Sequence, residues 1–171
     1  MQQSGLAVAI ALALGASTFF TVAARAKDDP SLLSVGIGAF DPIQDDNQAV
    51  DFRLEYRHGG KLWLVKPWVG VEGTSDGAFY GAGGLLADIF LGPIVLTPSL
   101  GVGGFAEGDG KDLGHAVEFR SQIEVAYKFA DQSRVGVAFS HISNSSLGDK
   151  NPGVEVLTVY YSLPVGRIFG N

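Results

Sequence analysis

The sequence predicts an all-β fold, an eight-stranded antiparallel transmembrane β-barrel of the outer-membrane type. Three observations carry this expectation. Beyond residue 30 there is no helical period; apolar–polar alternation recurs instead, in segments broken by Gly, Pro, Asp and Asn. The segments number eight, an even count that closes a small barrel. Their connections are short after even-numbered strands and generally longer after odd-numbered ones, as periplasmic turns and outer loops are.

The expected strands, in order, cover residues 32–40, 48–58, 63–72, 78–91, 93–105, 114–130, 134–144 and 153–164. The second shows the period most clearly: Val50, Phe52, Leu54 and Tyr56 alternate with Asp51, Arg53, Glu55 and Arg57. The sixth repeats it, with Val117, Phe119, Ile123, Val125, Tyr127 and Phe129 on one face and Glu118, Arg120, Gln122, Glu124 and Lys128 on the other. Pro67 and Pro98 each remove a ladder donor, so bends or bulges are expected there. The short turns are Gly59 to Leu62, Gly92, and Asp131 to Ser133.

Alternation alone leaves open which face is inside. A soluble lipocalin-like barrel or a sandwich buries the apolar face; a transmembrane barrel turns it to lipid and keeps its charges in the lumen. Strand number, strand lengths near the roughly 9–11 residues of a tilted crossing, and the loop alternation favour the inverted arrangement. Lumen charges such as Arg53, Glu55, Glu118 and Arg120 are then expected to pair across strands in a filled interior.

Bulk composition agrees. Charged residues make up 18% of the 171 residues, below the roughly 25% usual for soluble domains. The formal net charge is −6 with no basic block, which argues against nucleic acid as a partner. With no cysteine, disulfides and thiolate chemistry are ruled out. Leu6 to Leu14 is an apolar run followed by Ala24-Arg25-Ala26, a small-x-small cleavage pattern. Residues 1–26 are therefore expected to be a signal peptide and 27–171 the barrel domain; the competing reading is a membrane-anchoring helix over residues 6–24. Glu107 to Asp112 lacks the ligand spacing of a calcium loop, and His58 and His115 have no ligand cluster around them, so neither a metal nor a cofactor is expected.

The chemically pointed feature is His141-Ile142-Ser143-Asn144 with Glu155 fourteen residues after the histidine. His141 and Ser143 continue the face of Val135, Val137 and Phe139, and Glu155 shares one with Leu157, Val159 and Tyr161. A hydroxyl, an imidazole and a carboxylate thus occupy the apolar side of two neighbouring strands. Ser143 and His141 are about 6.6–6.8 Å apart along the strand. Pairing of the last two strands around Gly148 sets His141 opposite Glu155. Ser143 then reads as nucleophile, His141 as general base and Glu155 as the group that orients the imidazole. Asn144 and Asn151 are candidate oxyanion or orienting donors, although Asn is also ordinary turn chemistry. An ionisable residue facing lipid is by default a functional-site hypothesis. The rival reading is a non-catalytic eight-stranded barrel, an adhesin or structural protein.

The stretch from Ser140 to Pro164 resembles the lipid A 3-O-deacylase (PagL-type) family. His141, Ser143, Asn144, Asn151, Pro152, Gly153 and Glu155 carry the likeness in order and spacing, as H-x-S-N followed by N-P-G-x-E. The resemblance implies an outer-membrane barrel that hydrolyses the ester-linked 3-hydroxyacyl chain at the 3-position of lipid A, with a metal-independent Ser-His-Glu triad on its outer surface. His141, Ser143 and Glu155 match the family triad, and Asn144 and Asn151 match positions that assist it. The implied partners are lipid A within lipopolysaccharide and the surrounding outer-membrane lipids, with the oligomeric state open between monomer and homodimer.

Overall fold

The structure, a computed structural model, describes residues 29–43 and 47–170; the expected signal peptide lies outside the described residues. The chain forms β1 (Leu32–Phe40), β2 (Ala49–Arg57), β3 (Lys66–Thr74), β4 (Phe79–Leu86), β5 (Ile89–Leu91), β6 (Ile94–Ala106), β7 (Val117–Lys128), β8 (Arg134–Ser143) and β9 (Val154–Pro164), then a short helix α1 (Val165–Phe169). Every neighbouring pair is antiparallel, β1 pairs with both β2 and β9, and β4 pairs with β6 to close the ring.

Strands β4 and β5 are two halves of one stave, so the described residues form eight staves. The expected continuous strand over 78–91 is broken at Ala87 and Asp88. The cause is Pro98, which stands opposite Ala87: Ala87 N–H donates to the Pro98 carbonyl at 3.0 Å, but proline has no N–H to return. The register is the same on both sides of the break, with Leu86 opposite Ser99 and Ile89 opposite Leu96.

The faces are inverted, as expected for a barrel in lipid. Along β2, Arg53 is 3% exposed while its neighbour Phe52 is 53% exposed. The outer wall is a belt of Val, Ile, Leu and aromatic side chains, and the lumen is filled with paired charge. Arg53 meets Asp51 at 2.8 Å and Glu72 at 3.0 Å. Arg57 meets Glu55 at 2.9 Å and Glu124 at 2.7 Å. Arg120 meets Glu55 at 2.6 Å and stacks over Trp68 at 4.0 Å. At the end where the described residues begin and end, Lys66 and Arg134 converge on Asp88 and Asp29. Removing one partner of such a buried pair costs about 3–5 kcal/mol. Glu118 departs from the expected pairing: its carboxylate is buried with no hydrogen-bond partner among the described residues. The nearby Tyr80 hydroxyl donates instead to the Glu118 main-chain carbonyl, at 3.0 Å.

Two connections also differ from the sequence reading. The turn after β2 runs to Val65, because Leu62 and Val65 form their own two-way bridge around Trp63, whose φ is 62°; the third strand therefore begins at Lys66 rather than 63. The outer turn after β3 is tight, closed by Thr74 N–H to the Ala78 carbonyl at 2.9 Å. Length alternation is thus weaker than expected, while the face inversion is complete. The outer end of the lumen is plugged by an apolar cluster of Phe40, Tyr80, Leu113, Ile142, Val154 and Val156. Leu113 comes from the loop between β6 and β7, so an outer loop reaches down behind the last hairpin.

Candidate active site

The site is built on three adjacent strands. On β8 the outward side chains are Val135, Val137, Phe139, His141 and Ser143, because alternate residues share a face. The ladder sets His141 directly opposite Glu155 on β9 and, on its other flank, opposite Ser121 on β7. Ser143 lies opposite Phe119. A polar row of Ser121, His141 and Glu155 therefore crosses an otherwise apolar wall, with Ser143 one step nearer the outer loop.

His141 Nδ1 and Glu155 Oε1 are 3.1 Å apart, and their side chains are 44% and 20% exposed. This is the cross-strand pair that the numbering around Gly148 predicted. With Nδ1 engaged by the carboxylate, Nε2 is the nitrogen left to exchange a proton. Ser143 is half-buried and its hydroxyl has no hydrogen-bond partner among the described residues, so the Ser143–His141 contact is not closed at rest. Catalytic hydrogen bonds are often loose without substrate and tighten on binding.

Asn144 points the other way, into the barrel end, and is fully buried. Its amide donates to the Leu113 and Lys150 carbonyls, both at 2.8 Å. Its backbone N–H donates to Asn151 Oδ1 at 3.0 Å. Both amide hydrogens of Asn144 are thereby committed, so its side chain holds the loop in place; Asn151 braces the same turn from its exposed position. Ser145 and Ser146 follow with φ of 52° and 65°, and Leu147 N–H closes back on the Asn144 carbonyl at 3.0 Å.

This loop is docked on the one between β6 and β7. Lys150 pairs with Asp112 at 2.5 Å; the hydrogen bond from Lys150 holds the Asp112 carboxyl below its ordinary range, and the same bond raises the Lys150 ammonium. Both groups are exposed, so this contact adds little stability. The backbone fit is tighter: a Cβ on Gly114 would stand 2.3 Å from the Lys150 carbonyl oxygen.

Sequence reading assigned no contact or role to three participants. Gly153, with φ of 63°, lies against the imidazole: a Cβ there would fall 2.7 Å from His141 Cε1. In the sequence it stood as the glycine of the N-P-G-x-E stretch, two residues before Glu155, with nothing to show that it lies against the histidine. Leu113 and its loop gave no signal, because their contact with Asn144 is long-range. Ser121 was the one gap in the apolar face of β7, visible in the sequence but without meaning until the register set it beside His141.

A groove of about 910 Å³ opens along the outer wall from His141. Phe119, Ile123, Phe139, Leu100 and Val102 form its sides, and Gly83 and Ser121 leave room between them. It crosses β7, β6 and β4, the direction a chain lying on the barrel would take from the site. Among the described residues no cluster of side chains is suited to hold a metal ion.

Comparison with known proteins is consistent with this geometry. Residues 49–164 match the model of the family described as lipid A 3-O-deacylase (PagL). Lipid A deacylase PagL of Pseudomonas aeruginosa is 35% identical over 55 residues, which span 32% of this chain and 32% of that protein. Its counterpart in Bordetella bronchiseptica is 29% identical over 52 residues, 30% of this chain and 29% of that protein. In fold, the chain is similar to the crystal structure of the outer membrane enzyme PagL, with a TM-score of 0.61 and 21% identity, covering 78% of this chain and 99% of that one. A de novo designed transmembrane β-barrel has a TM-score of 0.52 at 13% identity, over 80% of this chain and 98% of the design. With the family model covering more than half of its length, this chain belongs to the lipid A 3-O-deacylase (PagL) family and is an outer-membrane β-barrel.

Proposed function

We propose that the protein is a lipid A 3-O-deacylase, a carboxylic-ester hydrolase that removes the 3-hydroxyacyl chain ester-linked at the 3-position of lipid A. The observation that carries this reading is the His141–Glu155 pair, 3.1 Å apart on the lipid-facing wall and one step along β8 from Ser143. Ionisable side chains on that wall are costly in a purely structural barrel. Together with an apolar groove that begins at the imidazole, it suits an ester carried by a membrane lipid.

Ser143 Oγ attacks the ester carbonyl carbon while His141 Nε2 accepts the hydroxyl proton. Glu155, on Nδ1, stabilises the imidazolium and holds the ring. The tetrahedral oxyanion faces the loop, where the N–H groups of Ser145 and Ser146 have no partner among the described residues; one well-placed donor contributes on the order of 10²–10³ in rate. Collapse breaks the C–O bond to the sugar, and His141 returns the proton to the departing sugar hydroxyl. Water, activated by His141, then hydrolyses the acyl-Ser143 ester and releases the 3-hydroxy fatty acid. Asn144 and Asn151 orient the loop that supplies the donors. Neither a cofactor nor a metal enters this sequence. With the termini on the periplasmic side, the loop after β8 is external, so the site lies at the level of the outer leaflet.

The test is mass spectrometry of lipid A from a Gram-negative host expressing the protein. The expected change is the loss of one 3-hydroxyacyl chain, abolished by Ser143→Ala or His141→Ala, since losing one triad member costs several orders of magnitude. Unchanged lipid A beside well-folded wild-type barrel would overturn the enzyme reading in favour of a non-catalytic barrel.

A further inference from the structure

Ser121 occupies a position that packing alone does not explain. It is exposed on the lipid-facing side of β7, where Val117, Phe119, Ile123, Val125 and Tyr127 are otherwise apolar. It stands directly opposite His141, on the flank not taken by Glu155. Both side chains line the same groove, whose remaining outward lining is aliphatic, aromatic or glycine. Its hydroxyl has no hydrogen-bond partner among the described residues. A hydroxyl left unpaired in an apolar medium is unfavourable, whereas alanine would leave as much room at no such cost.

We infer that Ser121 is a specificity-determining residue that hydrogen-bonds the β-hydroxyl of the bound acyl chain. The inference rests on the ester-hydrolase reading of His141, Ser143 and Glu155. Ser121 and Ser143 are diagonal neighbours across the β7–β8 ladder, with Ser143 opposite Phe119. Diagonal Cβ atoms are roughly 7–8 Å apart. An ester carbonyl at Ser143 Oγ carries its β-hydroxyl two carbons further along the chain, on the side toward the groove, which places that oxygen within reach of the Ser121 hydroxyl. The alkyl tail continues past Ser121 between Ile123, Leu100 and Val102. An unsubstituted acyl chain would fit the same groove and leave the Ser121 hydroxyl unpaired, which is the situation in which a site discriminates by a missing hydrogen bond.

The experiment compares two synthetic glucosamine monosaccharides in detergent micelles, one carrying a 3-hydroxymyristoyl ester at the 3-position and the other a plain myristoyl ester. The readout is the ratio of kcat/KM for the two. Wild-type protein is expected to prefer the hydroxylated ester by about five- to tenfold, the worth of one hydrogen bond. Ser121→Ala should bring the ratio close to one, and Ser121→Thr, which keeps a hydroxyl, should retain a preference. A merely space-making serine would leave the ratio unmoved in Ser121→Ala, and that result overturns the inference, as does a ratio of one in the wild type. Hydrolysis of neither ester by wild-type barrel would instead overturn the hydrolase reading and this assignment with it.

Discussion

Replacing Gly153 with alanine isolates the placement of the imidazole from every other part of the site. The added Cβ would stand 2.7 Å from His141 Cε1 and 3.3 Å from Nε2, while ordinary contact starts at 3.4 Å. The ring or the loop must therefore yield by about 0.7 Å at the closest point. The φ of 63° adds about 1–2 kcal/mol of backbone strain for a residue with a Cβ. A misplacement of 1 Å costs about 10²-fold in rate, so kcat should fall by about 10- to 100-fold. KM should change little, because the groove runs from the opposite flank of His141. The assay is initial-rate hydrolysis of a 3-hydroxyacyl ester in detergent micelles, with heat-modifiable gel mobility confirming the barrel. Gly153→Asn separates the two causes: asparagine tolerates the left-handed backbone better than alanine but carries the same Cβ. If clash with the ring dominates, the two variants lose activity alike. Turnover of Gly153→Ala within twofold of wild type would refute the placement of His141 against this loop.

Glu155→Gln should keep the fold and lose most activity, on the order of 10²-fold or more, because an amide holds the imidazole without stabilising its charge; Glu155→Asp should retain more, and full turnover in Glu155→Ala would remove Glu155 from the mechanism. The inverted faces are tested by single cysteines, which the chain otherwise lacks. Ile123→Cys should react with a lipid-soluble maleimide and resist a water-soluble one, whereas Glu124→Cys, buried in the lumen, should resist the lipid-soluble reagent. The reverse pattern would mean a water-facing barrel. In the same strand, Ile123→Arg should impair insertion, since Arg at a mid-bilayer lipid-facing position costs about 2–4 kcal/mol.

Much of this architecture is legible from period-two alternation, because in a barrel one residue's parity settles its environment. Arg53 and Phe52 could be assigned opposite faces from sequence once lipid was put outside, and parity put His141, Ser143 and Glu155 on the wall. The His141–Glu155 register was also legible, since a hairpin fixes pairing by the numbering of its turn. Contacts between elements distant in sequence were not. Nothing local marks Leu113 as the carbonyl that receives the Asn144 amide. Parity alone would have turned Asn144 inward, away from an oxyanion, but its side-chain partners became visible only with the loops packed. Pro98 advertised a disturbance; that the disturbance would fall on Ala87 in the opposing strand required the β4–β6 register. Glu118 shows the limit of charge patterning, since lumen parity does not supply a partner at the apolar outer end.

The lumen charges bear on the chemistry although none of them touches the outer wall. Arg53 donates to Gln122 at 3.0 Å and to Ser140 at 3.1 Å, so one guanidinium straps β7 to β8 from within. Gln122 and Ser140 are the sequence neighbours of Ser121 and His141, one step away on the hidden face. A one-residue slip of either strand would turn its whole side-chain set over, exporting the strapped polar groups to lipid and drawing the reactive ones inward. The interior therefore acts as a lock on the combination displayed outside. A chain that has not zipped its last three staves in this register does not set His141 beside Glu155, so the proposed hydrolysis, once measured, would double as a yes-or-no reporter of correct barrel assembly.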